Sequence, residues 1–120
     1  MARSSLIEMA KLHLLRGLPN EQQVAEMLEA LGTYIKLAVD VQQRIVAGGG
    51  GLHADCEYIL IEQGSKQADV WGADWEPTSK LVTFEALMNI RPRQNNPSME
   101  ILDPGLRSTI EEIVREIFEG

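Results

Sequence analysis

His53, Asp55 and Glu57 occupy alternate positions in LHADCEYILI, one imidazole and two carboxylates. On an extended strand all three project from one face, with neighbouring Cα atoms about 6.5–7 Å apart. A His-x-Asp pair at that spacing offers two ligands to a metal ion, but a useful site needs a third, usually another histidine. The only other histidine is His13. No metal or cofactor is expected, and His53 and Asp55 are simply the residues a metal would use. A solvated strand face with ion pairs to Lys36 or Arg91 accounts for the trio without one.

The polar set widens once the other strands are considered. Period-two alternation places Lys36 and Asp40 from an upstream strand, and Glu85, Asn89 and Arg91 from a downstream one, on the same side as His53. Carboxylates, an imidazole, an amide and a guanidinium on strands about 4.8 Å apart can bind a small polar ligand and move protons. Arg93 follows Arg91 in RPRQNNP, where two guanidiniums could grip a carboxylate or phosphate. The candidate ligand-binding residues are therefore His53, Asp55, Glu57, Glu85, Asn89, Arg91 and Arg93. Any sheet with one wet face carries polar residues there, so alternation alone does not establish a site. Ile59, Ile61 and Leu87 share this face by parity, and an apolar patch beside a polar one suits a subunit interface. A homodimer is the expected assembly, with another protein as the alternative partner.

Other residues offer less chemistry. On a strand Cys56 points away from His53 and Asp55, which excludes a Cys–His pair and leaves a small buried hydrophobe. Trp71 and Trp75 share a face that the seven surrounding residues do not fix, and Gly72 between them permits close backbone approach. The run Gly48 to Gly51 would need a helix immediately after it to cradle phosphate. The residues from Leu52 onward read as a strand instead, so a hairpin tip is expected.

These residues must be positioned by elements whose signals are local. Asn20 can cap a helix with Gln23 answering three residues on, and Val24, Met27, Leu28 and Leu31 recur at helical spacing before Gly32. Asp103 and Pro104 open a second helix whose stripe is Leu106, Ile110, Ile113, Val114 and Ile117. Between them the period changes to two. Ile35 to Gln42 reads as a half-buried strand, continued through Ala47 by a bulge. Leu52 to Glu62, Asp69 to Trp75 and Leu81 to Arg91 read as three more, joined by short turns. Residues 6–15 fit either a short helix or an extra edge strand. The expected fold is α+β, a four-stranded antiparallel meander sheet with two helices packed on one face. Residues 1–16 read as a variable N-terminal extension and 17–120 as one domain.

The chain has 120 residues, 44% hydrophobic and 24% charged, which suits one globular domain. With 11 Lys+Arg against 18 Asp+Glu the net charge is −7, so neither nucleic acid nor an anionic membrane is an expected partner. One cysteine excludes an internal disulfide framework. No apolar run reaches the roughly 18 residues of a membrane span. Glu8, Lys11 and His13 interrupt what would otherwise resemble a secretory leader, so a cytoplasmic protein is expected.

The segments YIKLAVD, AGGGGLHADCE, GSKQADVWGADW, FEALMNIRPRQNN and MEILDP resemble a family of short prokaryotic proteins defined only as a domain of unknown function. The resemblance runs from about Asn20 to Phe118 and implies no activity, cofactor or catalytic residue. Two classes of function stay open. The preferred one is a protein-interaction or regulatory module acting through the open sheet face. The alternative is a small-molecule binding protein or enzyme with its polar site on that face.

Overall fold

The computed structural model describes residues 9–120. Five strands, β1 (His13–Leu15), β2 (Ile35–Asp40), β3 (Ile45–Gly48), β4 (Val70–Trp75) and β5 (Val82–Thr83), form one antiparallel sheet in the order β1-β3-β2-β4-β5. Among the described residues three α-helices accompany it: α1 (Glu21–Leu28), α2 (His53–Glu62) and α3 (Pro104–Glu119).

The helices expected at the two ends form for the expected reasons. The Asn20 side chain accepts from the Gln23 N–H at 2.8 Å, and the Gln23 side chain accepts from the Asn20 N–H at 2.9 Å. This reciprocal cap satisfies donors that the first turn leaves free. Asp103 caps α3 by accepting from the Gly105 N–H at 2.9 Å, with Pro104 at the first helical position. Ile110, Ile113, Val114 and Ile117 of α3 are buried, together with Met27 of α1, against Ile35, Leu37 and Val39 of β2. Each such side chain contributes about 1.5–3 kcal/mol through burial. Trp71 and Trp75 join this core, and Trp75 stacks on Phe118 at 4.2 Å.

The α+β class holds, but the four-stranded meander does not. Residues 53–62 form a helix, not a strand, and it crosses between β3 and β4. Both of those strands pair antiparallel with β2, one on each side of it. The alternation of His53, Asp55 and Glu57 coincided with a second pattern at helical spacing, Cys56, Ile59 and Leu60, and that is the set that packs inward. The stop signal was also present. Gly64, at φ +113°, donates to the Ile61 carbonyl and Ser65 to the Leu60 carbonyl, a left-handed helix ending where a hairpin turn was expected.

Because α2 packs on the sheet face opposite α1 and α3, there is no open sheet face, and the helices do not all lie on one side. Ala38, Ile45, Ala47 and Val70 are buried beneath α2 with Cys56 and Leu60. β2 is thus buried on both faces, not half-buried as its alternation suggested.

Three connections also differ from expectation. β2 turns tightly into β3 through residues 41–44, where Arg44 takes φ 57°, in place of a bulged continuation. Asp40 closes that turn by accepting from the Gln42 and Gln43 N–H groups, both at 2.9 Å. The glycine run is not a hairpin tip either. A Cβ on Gly49 would lie 2.8 Å from the Lys11 carbonyl oxygen, and one on Gly48 would lie 2.8 Å from Leu37. The glycines let the chain pass beneath residues 11–12, which lead into edge strand β1. That strand settles the helix-or-strand alternative for His13–Leu15, whereas residues 6–8 lie outside the described residues.

The strand expected over Leu81 to Arg91 pairs with β4 only at Val82 and Thr83. Beyond them the chain stays extended, with Phe84 and Ala86 buried and Glu85 and Leu87 exposed. It bonds instead to residues 99–101, through Ala86 N–H to the Met99 carbonyl and Ile101 N–H to the Phe84 carbonyl. A 3-10 turn over Leu87–Asn89 then ends the extended run.

Candidate functional site

The helix ahead of β4 brings His53 over the sheet. At the first position of α2, its Nε2 lies 2.9 Å from Asp74 Oδ1 and 3.1 Å from the Ala73 carbonyl oxygen. Two acceptors on one nitrogen fix the tautomer: Nε2 carries the proton and, in the neutral ring, Nδ1 is the basic atom. Asp74 is held in turn, since its Oδ2 accepts from the Thr83 hydroxyl at 3.3 Å. Both side chains of the pair are mostly buried, at 12% and 17% exposure. Among the described residues Nδ1 has no protein partner, and it is not sealed from solvent.

His53 and Asp74 line a cleft of about 430 Å³. Lys36 lies directly opposite Asp74 in the β2–β4 register, and Glu85 enters from the segment after β5. Neither forms an ion pair within the described residues. Tyr34, Leu52, Leu87 and Met99 complete the walls. The cleft therefore combines an oriented histidine, one available cation and one available carboxylate within an apolar rim. A neighbouring cleft of about 650 Å³ contains Glu57, Arg91 and Arg93, and Leu87 and Met88 form the ridge between the two.

The residues selected from sequence thus divide. His53 and Glu85 share the first cleft; Glu57, Arg91 and Arg93 share the second; Leu87 lines both. Asn89 is fully buried, with its amide committed to backbone: it accepts from Gly72 N–H at 2.8 Å and donates to the Gly72 and Phe84 carbonyls. A Cβ on Gly72 would meet Ala86 at 2.6 Å, so the close approach allowed by this glycine is what seats the segment on β4. Arg91 donates to the Met88, Gln67 and Val70 carbonyls and lies 4.4 Å over the Trp71 ring. Burial lowers its pKa, with Glu57 acting in the opposite direction. Asp55 lines neither cleft. Ile59 packs into the core under α2, and Ile61 is 37% exposed on the helix.

His13, the other histidine, contacts Glu26 at 2.7 Å on the α1 side of the sheet. Among the described residues there is no cluster of three or more His, Cys, Asp or Glu that could hold a metal ion. Cys56 does share a helix face with His53, so the geometric exclusion of a Cys–His pair fails. Its thiol nevertheless donates to the Lys36 and Gly49 carbonyls, and burial pushes its pKa up to about 12. A thiol held that firmly protonated is a poor nucleophile. No described helix is long and apolar enough to cross a membrane.

Sequence reasoning missed Asp74, Tyr34 and Thr83. Lys36 was placed on the correct face but facing the wrong neighbours. The missing signal was strand order, because Lys36 opposes Asp74 only when β4 lies beside β2.

Comparison with curated proteins and with solved structures returned no match. A family model described as a protein of unknown function (DUF5674) matches residues 13–117, and the chain belongs to that family.

Proposed function

We propose that this protein binds a small dipolar metabolite, one carrying both an anionic and a cationic group, in the cleft of His53, Asp74, Lys36 and Glu85, and that His53 exchanges a proton with it. The observation that carries this reading is the His53–Asp74 pair: Asp74 and Ala73 orient the ring through Nε2 and leave Nδ1 as the acceptor. A carboxylate that holds an imidazole in one tautomer also stabilises the imidazolium formed when the ring takes a proton. Lys36 would receive the ligand's anionic group and Glu85 its cationic one. This reading takes the small-molecule class over an interaction module on an open sheet face, because α2 covers that face.

The test is a titration of ¹⁵N-labelled protein with a panel of α-amino acids, used as minimal dipolar probes. Saturable shifts at Lys36, Ala54 and Glu85, lost in Lys36→Ala, are expected. The imidazole nitrogens should report the Nε2–H tautomer in the free protein. An unresponsive cleft at high millimolar concentration of every amino acid, or an Nδ1–H tautomer, would overturn the reading.

A further inference from the structure

We propose that the second cleft binds the C-terminal end of a peptide, with the last side chain apolar and its terminal carboxylate on Arg93. This site adjoins the His53 cleft across the Leu87–Met88 ridge, and its charged group, Arg93, lines only the second cleft, so the proposal does not depend on the reading of the first. Arg93 makes no hydrogen bond, ion pair or ring contact with a described residue, whereas Arg91, two positions earlier, is committed to backbone carbonyls and to Trp71. An unpartnered guanidinium presents a planar fork that matches a carboxylate bidentately.

The group attached to that carboxylate must be apolar. Leu87 is 73% exposed and Ile90 44% exposed, and both line the cleft with Arg93 and Pro92. Leaving those side chains in water forgoes stabilisation that an apolar ligand group would recover. The wall is also preformed. Asn96 donates to the Asn89 and Glu100 carbonyls and accepts from the Leu102 N–H, which fixes the loop bearing Arg93 before any ligand arrives.

Glu57 decides between a peptide and a simple fatty acid. It lines the same cleft and accepts one long hydrogen bond, 3.5 Å from Gln67 Nε2, so it retains acceptor capacity. A peptide supplies backbone N–H donors upstream of its carboxylate; a fatty acid supplies none. The net charge of −7 disfavours an acidic run as ligand, which matches a single carboxylate beside an apolar side chain. A cleft of about 650 Å³ falls within the size range of ligand sites, roughly 300–1,000 Å³.

The experiment titrates the ¹⁵N-labelled full chain with acetyl-Ala-Ala-Leu, once as the free acid and once as the C-terminal amide. The free acid should shift the Ala68, Leu87 and Arg93 amides and bind at least tenfold more tightly than the amide. Arg93→Gln should abolish that ratio, and Leu87→Ser should weaken acid and amide alike. Leu87 is 73% exposed and the Arg93 side chain makes no hydrogen bond, ion pair or ring contact with a described residue, so an unchanged Tm is expected for each variant and confirms folding. Equal affinity of acid and amide, no shifts with either, or octanoate binding as tightly as the free acid would each overturn the proposal. So would a self-dimer in sedimentation that Leu87→Ser dissociates while no peptide binds.

Discussion

The two faces of the sheet are covered by different materials, two helices on one and a single helix on the other. Toward α1 and α3 the contacts are aliphatic and aromatic, Met27 and Ile110 against Ile35, Leu37 and Trp75. Toward α2 and the part of the 84–102 segment that sits on Gly72, buried polar groups add to a smaller apolar cluster. Asp40 accepts from Ser65 at 2.5 Å and from two backbone N–H groups, and Asn89 is bonded to both backbone groups of Gly72. An apolar stripe tolerates small shifts because dispersion is non-directional. A buried amide or carboxylate does not, because every partner must be met at the correct angle. The clefts lie on the second side, where the chain is fixed in place by polar bonds and still leaves charged groups facing outward.

The largest expected effect breaks that polar framework. Asn89→Ala removes an acceptor from the Gly72 N–H and donors from the Gly72, Phe84 and Met99 carbonyls. At roughly 1–3 kcal/mol for each buried group left unsatisfied, the loss should be about 3 kcal/mol or more in chemical denaturation. A loss under ~1 kcal/mol would mean that the 84–102 segment is held by its apolar contacts after all. Ile110→Ala probes the other face and should cost about 3 kcal/mol, within the 2–5 kcal/mol typical of aliphatic truncation. The variants should differ in kind as well as size. Asn89→Ala should disturb amide resonances on both sides of the Leu87–Met88 ridge, whereas Ile110→Ala should leave those of Lys36, Ala54 and Arg93 in place.

The same contrast explains what was legible in the sequence. α1 and α3 were readable because their caps, Asn20 with Gln23 and Asp103 with Pro104, are local and their stripes have one period. Ile35 to Asp40 and Val70 to Trp75 were readable as strands for the same reason. Residues 53–62 were not, because ten residues with apolar positions on two sides satisfy both periods, and the local stop signal at Gly64 suits a hairpin turn as well as a helix end. His53 was identified from its type, but its partner Asp74 lies 21 positions away and is reached only by knowing that β4 adds beside β2. Asn89 and Arg91 were selected as surface polar residues. A buried amide serving backbone groups looks the same in sequence as an exposed one awaiting a ligand.

Cys56 offers a smaller test of the α2 side. Burial first, then the negative charges of Asp55 and Asp74, push its pKa from 9.0 up to about 12, with Lys36 opposing. The folded state therefore holds this proton more tightly than the unfolded one. The stabilisation is complete below pH 9.0 and is lost as pH rises toward 12. Over that window the wild type should lose up to about 1.4 kcal/mol per pH unit more than Cys56→Ala. Other groups titrate there too, so the difference between the two profiles is the measurement. Parallel profiles would show that the thiol ionises as freely in the fold as outside it.

The smallest effect compares the two histidine–carboxylate pairs, one on each side of the sheet. The hydrogen bond from His13, followed by one from Gln22, holds Glu26 below its ordinary value of 4.5. A depressed carboxylate contributes stability above its unfolded pKa and loses it as pH falls through the lowered folded value. Glu26→Gln should therefore lower Tm slightly near neutrality, with the difference vanishing in strong acid. Asp74→Asn should lower it further, because the His53–Asp74 pair is the more buried, at 12% and 17% exposure against 20% and 29%. It should also loosen the hold on the His53 ring, leaving the Ala73 carbonyl as the one fixed acceptor for Nε2 and moving the imidazole toward a mixture of tautomers. Scanning calorimetry ranks the two, and imidazole ¹⁵N shifts show whether only the second change reaches the cleft. Equal losses, or a His53 tautomer unmoved by Asp74→Asn, would reduce that pair to the same local tie that joins β1 to α1.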